Sequence, residues 1–154
     1  MTALLEVSAL ALQTTEITPG INIWSGSRDM LGLGAALTNP TEISFRKGNI
    51  QHHYPVTFNG VTYVDLEAAF QANRYYVDYR DEWLMKVLMI EKLGRNEKLF
   101  NAIAENGGVE WLKHCSHIVP TASRHDWEGY GLNSRFIKCL ALAYEIVAKL
   151  KEYE

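Results

Sequence analysis

The chain has 154 residues, of which 47% are hydrophobic, so it has the size of one ordinary domain and can bury a core without disulfides or a structural metal. Fifteen Lys and Arg residues against eighteen Asp and Glu residues give a formal net charge of -3, which excludes a strong basic field for non-specific nucleic-acid binding. Residues 1–13 contain Glu6 and no basic stretch, so they resemble neither a signal peptide nor a membrane span. We expect one cytoplasmic domain over residues 1–154, without membrane association.

The two cysteines, Cys115 and Cys139, are far apart in the sequence. One lies near a histidine pair and the other inside a strong helical pattern, which favours reduced thiols over a disulfide framework. His114, Cys115 and His117 are close together but lack a recognised ligand spacing such as Cys-x-x-Cys. We therefore expect neither a metal site nor a cofactor.

The first part of the chain combines a short apolar run with a glycine-containing stretch. The run "INIW" at 21–24 is bounded by Pro-Gly and Ser-Gly pairs, which predicts a strand that enters a loop. Residues 25–42, "SGSRDMLGLGAALTNPTE", carry three glycines and are predicted to form that loop.

A β-hairpin followed directly by a helix is predicted next. The stretch "YPVTFNGVTYV" at 54–64 places two β-rich runs around Asn59-Gly60, a strong signal for a tight type I′ turn. Asp65 is a candidate N-cap for the helix that follows. The inner positions of this helix recur at helical spacing and are Leu66, Ala69, Phe70, Asn73 and Val77.

Two further helices are predicted after this one. The first runs from about residue 81 to residue 93, with Trp83, Val87 and Ile90 on its inner face. Asn96 is a candidate cap for the second, which ends at the following Asn-Gly-Gly.

The C-terminal part of the chain is predicted to be mainly helical. The stretch "VEWLKHCSHIV" at 109–119 has apolar residues at both helical and strand spacings, and we favour a helix. The inner positions of the last helix are Phe136, Leu140, Ala143, Val147 and Leu150. The whole pattern predicts an α+β protein, in which a small β-sheet with a hairpin packs against a majority of α-helices.

A line of polar side chains borders the apolar face of the helix that begins near residue 66. At about 100° per residue, Glu67, Gln71, Arg74 and Asp78 fall within one band. Pairs one turn apart, worth roughly 0.2–0.5 kcal/mol each, explain this band as an ordinary solvated face. A ligand site explains it equally well, so periodicity leaves both interpretations open.

Five short motifs follow one another along the chain. They are "NIWS" at 22–25, "LTN" at 37–39, "LEAAFQANRY" at 66–75, "LGRN" at 93–96 and "HDWEGYGLN" at 125–133. Their order resembles that of the YbiA-like, or NADAR, proteins, which have a loop Asn, a Glu-x-x-aromatic-Gln-x-x-Lys helix, a Gly-Arg break and a Trp-Gly-rich loop before the last helix. The resemblance covers about residues 21–147.

The resemblance implies chemistry on N-ribosides. The family includes N-glycosidases that cleave ribosylamine phosphate intermediates of riboflavin synthesis, and enzymes that remove ADP-ribose from guanine bases. It therefore implies a hydrolase of an N-glycosidic bond in a small phosphorylated riboside or ADP-ribosyl compound. The motif positions that carry over are Asn39, Glu67, Gln71, Arg95, Trp127 and Asn133.

Two features depart from the family pattern. Arg74 stands where the family helix usually has Lys, and a guanidinium cannot act as an amine nucleophile. The loop around Trp127 is also shorter and lacks the usual Gly-Asp-Gly. The alternative function is therefore a module that binds ADP-ribose or a related nucleotide and has lost catalysis.

Cleavage of an N-glycosidic bond builds positive charge on the sugar while the departing nitrogen takes up a proton. A carboxylate can stabilise that charge or activate water, and an acid can protonate the nitrogen. Glu67 is the first candidate for the carboxylate. Asp126 and Glu128, in the Gly-rich loop beside Trp127, are the alternatives, although solvation of a loop also explains both acids.

The other candidates would bind the substrate. Arg95 and Arg28 are candidates to bind a phosphate, and the alternative is that each is an ordinary surface arginine. Trp127 and Tyr130 suit stacking on a flat ring or ordinary packing, and Asn133 suits a sugar hydroxyl or the N-cap of the last helix. The full set of substrate-binding candidates is Trp24, Arg28, Asn39, Gln71, Arg74, Arg95, Trp127, Tyr130 and Asn133.

Overall fold

The computed structural model describes residues 18–120 and 126–154, so the predictions for residues 1–13 and for His125 lie outside the described residues. The α-helices are α1 (Leu33–Leu37), α2 (Thr41–Arg46), α3 (Leu66–Asn73), α4 (Asp78–Arg95), α5 (Glu97–Asn106), α6 (Val109–Leu112) and α7 (Arg135–Lys151). The β-strands are β1 (Val56–Phe58), β2 (Val61–Tyr63), β3 (Ser116–His117) and β4 (Gly129–Tyr130).

Helices dominate the described residues, and the predicted α+β class is confirmed. The strands form two antiparallel pairs, β1 with β2 and β3 with β4, rather than one small sheet. In place of the predicted strand at 21–24, Asn22 makes a single parallel bridge to Ser116. The Ile23 N–H donates to Ser116 O at 2.7 Å and the Ser116 N–H donates to Ile21 O at 2.9 Å, so this apolar run lies alongside β3.

The predicted hairpin is confirmed. Val56 pairs with Tyr63 and Phe58 pairs with Val61 across β1 and β2. Asn59 and Gly60 have φ values of 50° and 78°. Positive φ at both central residues is typical of a type I′ turn, whose twist matches that of the flanking strands.

Asp65 caps α3, as predicted. Its Oδ1 accepts a hydrogen bond from the Ala68 N–H at 2.9 Å, and its Oδ2 accepts one from the Glu42 N–H at 3.1 Å. One buried carboxylate thus secures the first turns of both α3 and α2. The helix ends at Asn73, and Val77, which was predicted to lie in it, is instead the residue that precedes α4.

The inner face of α4 differs from the predicted one. Trp83 is 48% exposed, whereas Leu84 and Leu88 are completely buried. Val87 and Ile90 are only partly buried. Apolar residues occur on more than one face of this helix, and the face that meets α7 is the one that is buried.

Residues 25–42 are more regular than the predicted loop. They contain a 3-10 turn at Asp29–Gly32, followed by α1 and α2, and every residue of α1 is buried. A buried segment must satisfy its backbone polar groups, and a helical turn does so locally. Gly34 permits the close packing, because a Cβ at this position would lie 2.4 Å from Ser27 Oγ.

The helix after the Gly-Arg break ends as predicted but begins differently. Gly107, with φ of 128°, terminates α5. Asn96 makes no side-chain cap for α5, and its Nδ2 instead donates to Lys92 O at 2.7 Å. Its amide therefore stabilises the end of α4.

The predicted helix over 109–119 is correct only for its first part. Val109–Leu112 forms α6, and the chain then becomes extended and forms β3. The N-cap of α7 is Ser134 and not Asn133, because Ser134 Oγ accepts from the Ile137 N–H at 3.2 Å. Asn133 lies in the preceding 3-10 turn.

The two long helices, α4 and α7, share the largest interface between elements of the fold. At its edge, Arg135 Nε donates to Glu82 Oε1 at 2.8 Å. The inner positions predicted for α7 are buried from Phe136 to Val147, whereas Leu150 is 57% exposed. None of the described helices combines the length and the hydropathy needed to cross a membrane.

Gly60 and Gly94 provide a matched pair of substitutions, because an added Cβ meets no atom within 4 Å at either position. Gly60 has positive φ in the hairpin turn, so Gly60→Ala should lower the free energy of unfolding by about 1 kcal/mol. Gly94 lies inside α4, and Gly94→Ala should raise it by about 0.5–1 kcal/mol. Urea denaturation measures both values, and changes of the same sign would contradict the turn conformation.

Candidate functional site

A cavity with a volume of about 620 Å³ lies within the described part of the chain. Its walls come from the segment around Trp24, the junction of α1 and α2, the outer side of α3, β3, and the start of α7. The predicted site residues that line this cavity are Trp24, Asn39, Glu67, Gln71, Arg74, Asp126 and Trp127.

The polar band on α3 faces this cavity. Gln71 Nε2 donates to Glu67 Oε1 at 2.8 Å, so the pair one turn apart is formed within the cavity wall. The other expected pair is absent, because Arg74 Nη2 bonds Asp81 Oδ2 at 3.3 Å while the Asp78 side chain is 93% exposed. Both interpretations of the band therefore hold for Glu67 and Gln71, which pair with each other and also border a cavity.

Arg74 is held in place by aromatic rings as well as by Asp81. Its guanidinium carbon lies 4.2 Å from the centre of the Tyr76 ring and 5.1 Å from that of Phe70. A guanidinium over an aromatic face is attracted by the ring quadrupole. The Arg74 side chain is consequently only 25% exposed.

Two tryptophans form aromatic walls, and each is covered by a cation. Lys47 Nζ lies 4.9 Å from the ring centre of Trp24 and donates to Ser25 Oγ at 2.9 Å. Arg135 lies 4.1 Å from the ring centre of Trp127. Aromatic faces of this kind can stack on a flat ring.

Asn39 places an amide in the cavity wall. It is 6% exposed, and its Nδ2 approaches Met85 Sδ at 3.3 Å. No described residue donates a hydrogen bond to its Oδ1. A buried amide oxygen without a partner costs about 1–3 kcal/mol.

The two acids of the loop before α7 have different surroundings. Asp126 lines the cavity, is exposed, and accepts a hydrogen bond from Arg135 Nη1. Glu128 is buried, does not line the cavity, and accepts a hydrogen bond from the Val119 N–H. Asp126 is therefore the second carboxylate at the cavity, whereas Glu128 ties the segment that follows β3 to the segment that leads into β4.

Four predicted substrate-binding residues lie outside the cavity lining. Arg95 pairs with Glu91 at 2.9 Å and donates to Thr57 Oγ1 at 3.1 Å, which connects α4 to the hairpin. The other three have exposed side chains elsewhere and are Arg28, Tyr130 and Asn133.

Four polar residues of the cavity lining were not predicted, namely Ser25, Thr38, Lys47 and His117. Lys47 belongs to no motif of the sequence, and only its position at the end of α2 brings it to the wall. His117 was considered only as a metal ligand. Its Nδ1–H donates to Ile23 O at 2.7 Å and its ring stacks on Phe136 with centres 4.2 Å apart. Within residues 18–120 and 126–154, no group of three His, Cys, Asp or Glu side chains is arranged to hold a metal ion.

The cysteines are not candidate nucleophiles. Cys115 and Cys139 are free and buried, as expected for reduced thiols. Burial raises the pKa of each thiol to about 11, so both are protonated at neutral pH. The reactive form of a cysteine is the thiolate, which is therefore scarce here.

Lys92 lies behind the cavity wall. It is 3% exposed, and its Nζ donates to Thr38 O at 2.7 Å. Desolvation lowers the pKa of this amine to about 7, although the negative charge of Asp65 opposes the shift. Thr38 lines the cavity next to Asn39, so the buried amine holds the segment that carries this amide.

Searches of protein-family models, curated proteins and solved structures found no match to this chain.

The lowered pKa of Lys92 should make stability depend on pH. Above pH 7 the folded protein releases this proton, whereas the unfolded chain keeps it up to about pH 10.5, so unfolding takes up a proton between these values. The free energy of unfolding of the wild type should therefore rise with pH relative to Lys92→Met, by at most about 1.4 kcal/mol per pH unit.

Urea denaturation of the wild type and Lys92→Met between pH 7 and about pH 9.5 measures this difference. Lys98→Met, which removes an exposed lysine, is the reference for loss of a surface charge. A difference between wild type and Lys92→Met that stays constant with pH would show that Lys92 remains charged in the folded protein.

Proposed function

We propose that this chain hydrolyses an N-glycosidic bond in a phosphorylated riboside or an ADP-ribosyl compound, with Glu67 as the key carboxylate. The observation that carries the proposal is that Glu67, Asp126, Trp127 and Arg74 line one cavity, although they come from distant parts of the sequence. Two carboxylates can supply the chemistry of glycosidic cleavage, and an aromatic wall and a cation suit binding of a base and a phosphate. The ordered motifs that resemble YbiA-like proteins support the same assignment.

Glu67 suits the role of the reacting carboxylate. Gln71 holds one of its oxygens at 2.8 Å, which orients the group along the cavity wall. A fixed carboxylate beside the anomeric carbon would stabilise positive charge on the sugar or activate a water molecule. Asp126 is ion-paired with Arg135, so it is the second candidate for these roles.

The remaining lining suits recognition of the substrate. The indoles of Trp24 and Trp127 would stack on a base or a flavin-like ring. Asn39, which also lines the cavity, would place an amide side chain beside the sugar. Lys47 and Arg74 would offset the negative charge of a phosphate.

A second candidate function is binding of ADP-ribose or a related nucleotide without catalysis. Arg74 favours it, because this side chain cannot act as an amine nucleophile and is committed to a pair with Asp81. Binding of ADP-ribose measured by calorimetry, without release of a sugar phosphate from any substrate, would support this second function.

The test of the hydrolase is incubation with ribosylamine phosphate intermediates of riboflavin synthesis and with ADP-ribosylated guanosine, followed by measurement of the released ribose phosphate or ADP-ribose. Glu67→Gln keeps the shape of the side chain and removes its charge, so turnover should fall by about 100-fold or more. Its melting temperature should change little, since the pair with Gln71 is worth only roughly 0.2–0.5 kcal/mol.

Glu110→Gln is the matched control, because Glu110 forms a similar surface pair with Lys113 at 2.7 Å outside the cavity. This variant should keep wild-type turnover. If the folded wild type turns over neither substrate, the hydrolase proposal is wrong. If Glu67→Gln loses stability and activity together, the carboxylate has a structural role.

A further inference from the structure

Arg74 lines the cavity with only part of its guanidinium paired. Nη2 bonds Asp81, whereas Nε is buried without an acceptor among the described residues. Glu67, an acid of the same cavity wall, is bonded to Gln71 instead. A guanidinium keeps its positive charge at every working pH, so the cavity wall contains a permanent cation. Among the described residues, Asp81 is the only acid that pairs with it.

The orientation of this cation is fixed from one side by a buried carboxylate. Asp81 is 3% exposed, and its Oδ1 accepts from the Tyr75 N–H at 2.7 Å while its Oδ2 accepts from Arg74. The first turn of α4 thus holds both the backbone and the side chain of the segment that follows α3.

The other side is covered by a residue in an unfavourable backbone conformation. Tyr76 has φ of 60°, in the left-handed region that favours glycine, and its side chain is 76% exposed. A ring that is this exposed gains little free energy from burial. A bulky residue with positive φ is also strained. The guanidinium carbon of Arg74 lies 4.2 Å from the centre of the Tyr76 ring.

We propose that Arg74 is a preformed binding group for a phosphate or pyrophosphate in the cavity, and that Tyr76 is the residue that positions it. Planar guanidinium forks match the oxygens of a phosphate, and a fork that is already oriented loses less conformational entropy on binding. The strained backbone conformation of Tyr76 then has a function, because its ring holds the Arg74 guanidinium towards the ligand. This inference rests on the proposed function for the identity of the whole substrate, but the phosphate site stands on these contacts.

The test separates the positioning role from a role in stability. Tyr76→Gly removes the ring and relieves the strain, so the melting temperature should not fall, whereas the dissociation constant for pyrophosphate should rise about tenfold. Tyr76→Phe keeps the ring and should restore wild-type affinity. Arg74→Gln should abolish the binding. Isothermal titration calorimetry with sodium pyrophosphate measures all three.

Leu31→Gly is the matched control. Leu31 has φ of 58°, is completely exposed, and lies outside the cavity lining, so the substitution relieves the same kind of strain elsewhere. It should leave the affinity for pyrophosphate unchanged. ADP-ribose and adenosine form a second comparison, because Tyr76→Gly should weaken binding of ADP-ribose and leave binding of adenosine, which has no phosphate, unaltered.

The outcomes distinguish this inference from the proposed function. Failure of the wild type to bind pyrophosphate at millimolar concentration, or equal affinities for wild type and Tyr76→Gly, would overturn the inference. If pyrophosphate binding follows the expected pattern but no riboside is turned over, the phosphate site is supported and the hydrolase is not. If turnover occurs, Tyr76→Gly should raise KM with little change in kcat, and an unchanged KM would count against the positioning role.

Discussion

The burial of α4 against α7 is the constraint on which the rest of the structure depends. Both helices are long, and their facing sides contain completely buried residues such as Leu84 and Ile137. Once they are packed, Arg135 in the first turn of α7 reaches Glu82 on α4 and also covers Trp127. The cavity therefore lies at one end of the helix pair. Arg135, at the edge of the packed core, holds Trp127 in the cavity wall.

Some of the residues that line the cavity are neighbours in the sequence, and others are far apart. Glu67 and Gln71 share one face of α3 because they are one turn apart, and this relation was predictable from helical periodicity alone. The arrival of Trp24 and Trp127 at the same face depends on the packing of the whole chain. Lys47 could not be predicted, because no local pattern distinguishes a lysine at a cavity from one on an ordinary surface.

The same distinction explains which parts of the fold followed from the sequence. The hairpin turn and the Asp65 cap depend on residues within a few positions of each other, and both are confirmed. The inner face of α4 was wrong because that helix offers more than one apolar face, and only α7 decides between them. Asn133 and Ser134 are both good capping residues, so the choice of Ser134 depends on its additional hydrogen bond to the carbonyl of Trp127.

The positions of the four tryptophans give the molecule its own optical reporter. Trp24 and Trp127 line the cavity beneath the charges of Lys47 and Arg135, whereas Trp111 is completely buried elsewhere in the core. A molecule that enters the cavity would displace water from these two indoles and leave Trp111 and the exposed Trp83, which lie outside the cavity lining, in an unchanged environment. Intrinsic fluorescence can therefore follow occupancy of the cavity without a label, as a change on top of the constant emission of Trp83 and Trp111.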